Sequence, residues 1–408
     1  MAFWHPFADM AAVARRELLI ERGEGPWVFD ADGKRYLDAT ASLWYSNIGH
    51  GRAEVADAVA AQIRTLEAYH TFTDVSNRPA NELCEKLAER APMPDSKIFL
   101  TSGGGDSIEV AAKLARRHFI LQGQPERVHL ISRTQGYHGT HGFGTSLGGI
   151  EANTSNWGPL VPQTSTVAFD SLPALEAEIA RVGPRRVAAF FCEPVIGAGG
   201  VHPPPEGYIQ GVADLCAEHG ILLVIDSVIC GFGRLGTWFG IERWADVAPA
   251  MITFAKGVTS GYIPLGGVVA SAEIAAPYWA QEGGPMFRHG ATYAGHPTAC
   301  AAALAVIDIY EREQLIPRGR ELEGPLYDAL AQFSDHPAVA EVRGGCGFLA
   351  AVGLVPEADV TALAEGAREA GVLVRPLLGG IAVSPPLICD QSHLDLLAEG
   401  VAAGLERL

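Results

Sequence analysis

Cysteine, basic charge and long apolar runs are all scarce in this sequence of 408 residues, and each shortage excludes a class of protein. The seven cysteines (Cys84, Cys192, Cys216, Cys230, Cys300, Cys346 and Cys389) are odd in number, dispersed, and never form a C-x-x-C pair. That spacing fits neither a disulfide framework nor a zinc site, and it fits reduced thiols in a cytosol. Lysine and arginine number 30 against 47 acidic residues, giving a net charge of −17. A field of that sign repels phosphate backbones and anionic lipid, so no nucleic-acid and no membrane partner is expected. A small anionic ligand remains allowed, because local donors can outweigh a distant field. Apolar runs such as 221–225 (ILLVI) stop at a charge, far short of the roughly 20 residues of a membrane helix. The opening MAFWHPFADM has no basic stretch followed by an apolar one, so the expected compartment is the cytoplasm. Repeats, low-complexity tracts and charge blocks are missing as well.

What is present is globular: 48% hydrophobic and 19% charged residues, ample for a large core. Segments 27–30 (WVFD) and 35–39 (RYLDA), separated by Ala31-Asp32-Gly33-Lys34, read as an N-terminal hairpin. A helix is expected over 52–67, with Val55, Ala56, Val59, Ile63 and Leu66 on its apolar face. Candidate strands follow at 97–101, 127–132, 187–192, 221–225, 251–254 and 266–270, alternating with candidate helices at 106–121, 173–182, 206–219 and 297–312. These strands are continuously apolar, which implies burial on both faces and a mostly parallel sheet covered by helices: an α/β fold. The last hundred residues mix helices (319–333, 358–370) with short strands (347–353, 381–384), as in a smaller α+β lobe. The expected division is an N-terminal segment 1–47 packing with that lobe, a large domain 48–305, and a small domain 306–408.

Polar elements stand at the carboxyl ends of four of these strands. Ser102-Gly103-Gly104-Gly105 follows 97–101, Glu193 follows 187–192, Asp226 follows 221–225, and Lys256 follows 251–254. Ligands of open parallel sheets bind beyond the carboxyl ends of the strands, so these four converge on one pocket if the strands are correct.

The glycine run opens a helix whose inner face is Val110, Ala111, Leu114 and Ala115. Glycines let a ligand approach the backbone, and the helix start offers free N–H groups, so the run reads as a phosphate cradle; a tight strand–helix turn is the plainer alternative. No Gly-Lys-Ser/Thr ending marks a nucleoside-triphosphate loop. The run Gly231-Phe232-Gly233-Arg234-Leu235-Gly236 matches the dinucleotide pattern in letters, but TWFG follows it instead of a helix, and it is rejected. Asp226 ends a very apolar strand, where an unpaired carboxylate is costly; it is either a cap or an anion that holds a cationic partner. Lys256 in FAKG could be merely solvated, or it could be the partly desolvated amine that forms Schiff bases. Tyr137 and His138 offer an aromatic face and a ring donor. His138 and His141 lack a third ligand nearby, so no metal site is expected. Thr292 could donate a hydroxyl, and Arg375, directly after an apolar strand, could clamp a carboxylate or make a surface ion pair. A phosphate cradle, a carboxylate, a stacking aromatic and a lysine together describe the needs of pyridoxal phosphate: an anchored phosphate, an aldehyde held by an amine, and a ring nitrogen kept protonated.

On these residues the sequence resembles class III pyridoxal-phosphate-dependent aminotransferases of fold type I, in the ω-amino acid/amine:pyruvate branch. The resemblance runs from HPF and LWYSNIGHGR through TSGGGDSIEVAAKLAR, YHGT, EPVIGAGG, VIDSVICGFGRLG, TFAKGVTSGYIPLGG and ATYAGHP to VRPLLGGIAVSPPLI. It implies that Lys256 bonds the cofactor's aldehyde, that Asp226 pairs with the ring nitrogen, and that Val228 lies beneath the ring. It also implies that Tyr137 stacks, that Gly104 and Gly105 bind phosphate, and that His138 and Glu193 belong to the cofactor site. Thr292 would reach the phosphate of a neighbouring subunit in a homodimer, or a dimer of dimers, with shared sites. Trp44 and Arg375 match substrate positions, the arginine meeting the keto acid's carboxylate; Tyr45, Phe72 and Arg288 are further pocket candidates. The chain departs from the family at Ser227, where glutamate is usual, and at Gly105, where serine or alanine is usual. It departs again at Ala198, where a glutamate neutralises the arginine in the 4-aminobutyrate and ornithine branches. The implied reaction is ping-pong transfer of an amino group to a keto acid. A 7,8-diaminopelargonate synthase-like enzyme, an aminomutase or racemase on the same scaffold, and a non-catalytic binding protein are the rivals.

Overall fold

Runs of buried apolar residues, bounded by glycine and charge, set the central layer. The computed structural model describes residues 2–408. Three N-terminal strands, β1 (Ile20–Glu24), β2 (Trp27–Asp30) and β3 (Arg35–Asp38), come first. The next seven are β4 (Lys97–Thr101), β5 (His129–Arg133), β6 (Thr164–Val167), β7 (Val187–Cys192), β8 (Leu222–Asp226), β9 (Met251–Phe254) and β10 (Gly266–Ala270). The C-terminal five are β11 (Val339–Arg343), β12 (Ala350–Leu354), β13 (Val372–Leu373), β14 (Arg375–Leu377) and β15 (Gly380–Val383).

The large sheet has the order β4-β10-β9-β8-β7-β5-β6. β5, β6, β7, β8 and β9 pair in parallel, while β10 runs antiparallel to both β4 and β9. Two reversals restore the direction, so β4 ends at the same edge as β7, β8 and β9. Every residue of β5, β7, β8, β9 and β10 is buried, as continuous apolar strands between helical layers require. Helix Gly104–Leu121 buries Val110, Ala111, Leu114 and Ala115 against this sheet.

β12, β15, β14 and β11 form a separate antiparallel sheet, and β13 leaves them to pair in parallel with β3 of the N-terminal hairpin. The N-terminal segment is thus sewn to the C-terminal part by backbone hydrogen bonds. A second tie is Arg234, which is fully buried. Its Nη1 donates to the carbonyls of Phe348 and Pro385, each at 2.7 Å, and its Nη2 donates to Asn47 Oδ1 at 2.7 Å. Burial brings this guanidinium down to about 10, and three short acceptors hold it there. The rejected Gly231–Gly236 run is therefore a turn that delivers a structural cation.

Three of the expected elements differ in the structure, and helices Arg78–Arg90 and Gln391–Leu405 and strands β1, β6 and β11 are additional to those expected. The helix expected over 319–333 is two, Leu315–Glu321 and Glu323–Ala331, because Pro325 has no N–H to continue the ladder. The strand expected at 347–353 begins at Ala350: Gly347 is left-handed (φ +88°) and the Phe348 N–H is spent on the Arg234 carbonyl at 2.8 Å. On helix Ala53–Leu66 only Val55 is buried; Ala56 is exposed and Ile63 is 51% exposed.

Candidate active site

The strand ends meet as the sequence suggests. Gly104, Gly105, Tyr137, His138, Glu193, Asp226, Val228 and Lys256 line one cavity of about 220 Å³ at the carboxyl edge of the sheet. Ile108, Gly139, Thr140, His141 and Ile229 complete the wall.

Asp226, the last residue of β8, is 4% exposed. Its Oδ2 accepts from His138 Nδ1 at 2.8 Å, and its Oδ1 accepts from the Thr253 hydroxyl and the Val228 N–H, both at 3.1 Å. All three partners donate, so the group is built as an acceptor and its charge is compensated in place. Thr253 escaped sequence reasoning because its contact crosses from β9 to β8; its only signal is a hydroxyl within an otherwise apolar strand. Glu193 is also buried. Its Oε1 accepts from the Tyr137 N–H at 3.1 Å and its Oε2 from the Gly197 N–H at 2.9 Å, so it pins two loops at the cavity edge. Burial pushes its carboxyl upward, and the His138 ring opposes that.

Lys256 follows β9 in a left-handed conformation (φ +48°), which a non-glycine residue adopts at a cost of about 1–3 kcal/mol. Its amine is enclosed, and burial lowers it from 10.5 to about 8, with Asp226 and Glu193 pulling the other way. The amine thus gives up its proton more readily than an ordinary lysine, as a nucleophile must.

The glycines are required by space. A Cβ on Gly104 would stand 2.9 Å from Val228 Cγ1, and one on Gly139 (φ +90°) would stand 3.0 Å from the Gly105 Cα. Backbone N–H groups at the start of helix Gly104–Leu121 are free to face a ligand. The residues present fit pyridoxal phosphate: a side-chain-free helix start for phosphate, a buried acceptor for a protonated ring nitrogen, and an enclosed amine for an aldehyde.

A second cavity of about 310 Å³ shares Tyr137 and Lys256 with the first and adds Leu43, Trp44, Ala198, Arg375, Leu377 and Leu378. Trp44 is buried and carried by a strained turn, in which Ala41, Ser42 and Trp44 have φ of +44°, +58° and +67°. The buried Asp38 carboxylate holds that turn, accepting from the Ser42 N–H at 2.6 Å and facing His50 Nε2 at 2.8 Å. Asp38 is another residue that sequence reasoning missed.

Some candidates lie elsewhere. Thr292 is exposed and lines neither cavity, while Phe72 and Arg288 line a separate surface cavity of about 920 Å³. Tyr45 accepts a hydrogen bond from the Ser42 hydroxyl at 2.6 Å and does not line the Trp44 cavity. Ser227 is buried and donates to the Phe239 carbonyl at 2.5 Å, a purely structural bond. No cluster of metal-ligating side chains occurs among the described residues.

The family model described as "Aminotransferase class-III" matches residues 10–405. Putrescine–pyruvate aminotransferase of Pseudomonas aeruginosa is 36% identical over 96% of this chain and 91% of its own length. Beta-alanine–pyruvate aminotransferase of the same organism is 34% identical over 93% of this chain and 86% of its own. Among solved structures, an (S)-enantioselective omega-transaminase from Thermomicrobium roseum superposes with a TM-score of 0.95 at 39% identity, covering 98% of this chain and 95% of that one. An amine transaminase from an uncultivated Pseudomonas species, in its PLP-bound form, gives 0.93 at 38% identity, covering 100% and 99%. Fold, cavity and kinship agree over nearly the full length, and the chain belongs to the class III aminotransferases, pyridoxal-phosphate-dependent enzymes of fold type I.

Proposed function

We propose that the enzyme moves an amino group from an ω-amino acid or amine donor to an α-keto acid, above all pyruvate, in a ping-pong sequence. The observation that carries this reading is Arg375. It enters the cavity beside Lys256, and neither its neighbours nor the rest of that wall bring it a carboxylate among the described residues. Burial lowers its pKa, and Tyr137 opposes that shift. A guanidinium so placed is suited to a small carboxylate in a bidentate grip. Ala198 lines the same cavity and offers no competing acid, and Leu43, Trp44, Leu377 and Leu378 leave apolar space for a donor. The relatives named for putrescine–pyruvate and beta-alanine–pyruvate transfer point the same way.

When bound, pyridoxal phosphate supplies an electron sink for the charge left as a proton leaves the carbon bearing the amine. In this reading Lys256 would hold the cofactor's aldehyde and, as a free amine, would serve as general base for that proton. Asp226, held by His138 and Thr253, would keep a proton on the ring nitrogen. Tyr137 and Val228 supply its aromatic and apolar neighbours, and Gly104 and Gly105 the phosphate seat. Glu193 positions the Tyr137 loop.

A homodimer with shared sites, in which Thr292 serves the neighbouring cofactor, belongs to this proposal. In support, Phe72 and Met286 line the 920 Å³ cavity yet are 47% and 67% exposed, and Thr292 lies between two of its wall residues, Gly290 and Ala294. A division into 1–47, 48–305 and 306–408 and a cytoplasmic location are also proposed. The pairing of β3 with β13 and the free state of all seven cysteines support them.

Lys256→Ala is expected to abolish turnover and the yellow imine absorbance, whereas Asp226→Asn should keep bound cofactor and lose about a hundredfold or more in rate. Normal transamination by Lys256→Ala would overturn the assignment. Arg375→Ala is expected to raise KM for pyruvate about tenfold or more, with the half-reaction of an amine donor that carries no carboxylate little changed in single turnovers; an equal loss in both would contradict the role. Sedimentation equilibrium should give a species of two or four chains, and a fully active single chain would refute the shared site.

A further inference from the structure

His141 lies over the glycine turn. A Cβ built on Gly105 would stand 2.3 Å from its Nδ1 and 2.6 Å from its Cε1, so the imidazole fills the space that a side chain at 105 would take. Its Nε2 faces Asp106 Oδ1 at 3.4 Å, and the ring itself is half exposed, on the wall of the 220 Å³ cavity. The loop that carries it is fixed from behind. Glu109 Oε1 accepts from the N–H groups of Phe143 (2.5 Å) and Gly144 (3.3 Å), and the His141 carbonyl accepts from the Thr145 N–H at 2.8 Å.

The charge balance of the cavity then becomes decisive. Among the described residues its wall carries two acids, Glu193 and Asp226, and three bases, His138, His141 and Lys256. His138 is bonded to Asp226, and Lys256 is reserved for the aldehyde in the reading above. A phosphate monoester brings a charge of about −1.5 to −2 at neutral pH. It would arrive next to Asp106, an acid in the first turn of the cradle helix. Backbone N–H groups and a threonine hydroxyl donate hydrogen bonds without a full positive charge, and His141 is the one wall base that neither bonds an acid of the cavity wall nor is reserved for the aldehyde. The charged groups facing it are Asp106, beside its Nε2, and Glu109, one turn further along the same helix and already engaged by backbone N–H groups.

We propose that His141 binds the cofactor's phosphate, its ring lying between Asp106 and the phosphate in the space that Gly105 leaves open. The inference rests on the pyridoxal phosphate reading and adds a residue to it. The test is retention of cofactor by the full-length holoenzyme, measured as the dissociation constant for pyridoxal phosphate and, in a parallel preparation, for pyridoxal. For His141→Ala the constant for pyridoxal phosphate is expected to rise about tenfold or more, the reach of a charge-assisted hydrogen bond, while that for pyridoxal stays within about twofold. Gly105→Ser alone should also weaken retention, because the ring obstructs the new side chain, and Gly105→Ser combined with His141→Ala should recover part of the loss. Unchanged retention by His141→Ala, or an equal loss for pyridoxal, would overturn the proposal. A wild-type chain that takes up no pyridoxal phosphate at all would instead overturn the cofactor reading on which it rests.

Discussion

A buried carboxylate sharing one cavity with an amine whose basicity burial lowers is the constraint that the rest of the site serves. Left as a close ion pair, the two groups would neutralise each other and the amine would be a poor nucleophile. The protein keeps them at the ends of adjacent parallel strands and gives Asp226 three other donors: His138, Thr253 and the Val228 N–H. Lys256 is thereby left unbonded enough to react, and its left-handed backbone shows that the position is imposed by its surroundings.

The fold makes this arrangement affordable through the edge of one sheet. Reversing β10 alone leaves β4, β7, β8 and β9 pointing the same way, so the glycine turn, Glu193, Asp226 and Lys256 share an edge although they are distant in sequence. The second cavity is lined from both ends of the chain. Trp44 comes on a turn held by Asp38 after β3, and Arg375 opens β14 directly after β13, which pairs with β3. Chain termini and sheet edge are tied together by Arg234, whose acceptors lie at residues 47, 348 and 385.

Much of this was legible in the sequence, and the reason differs by residue. Glu193, Asp226 and Lys256 stood out because a charge directly after a buried strand is costly unless it has a task. The glycine run stood out because three consecutive glycines exceed what a turn requires. The parallel sheet followed from strands without alternation. Thr253, Asp38 and the ring of His141 above Gly105 were not legible in these roles. Each acts through a contact across strands or loops, and its local pattern resembles that of an ordinary strand hydroxyl, hairpin acid or loop histidine. Helix Ala53–Leu66 misled for a related reason: its apolar period is real, but Ile63 and Ala56 face away from this chain's own core. Periodicity reports that a face is apolar, not what covers it.

The central claim is that the Lys256 amine is the group that takes the cofactor. Reduction of the purified holoenzyme with borohydride, followed by proteolysis and peptide mass mapping, examines it directly. The account predicts a single pyridoxyl-phosphate adduct on the peptide containing Lys256. An adduct confined to another lysine, or none on a chain that retains its cofactor, would contradict it.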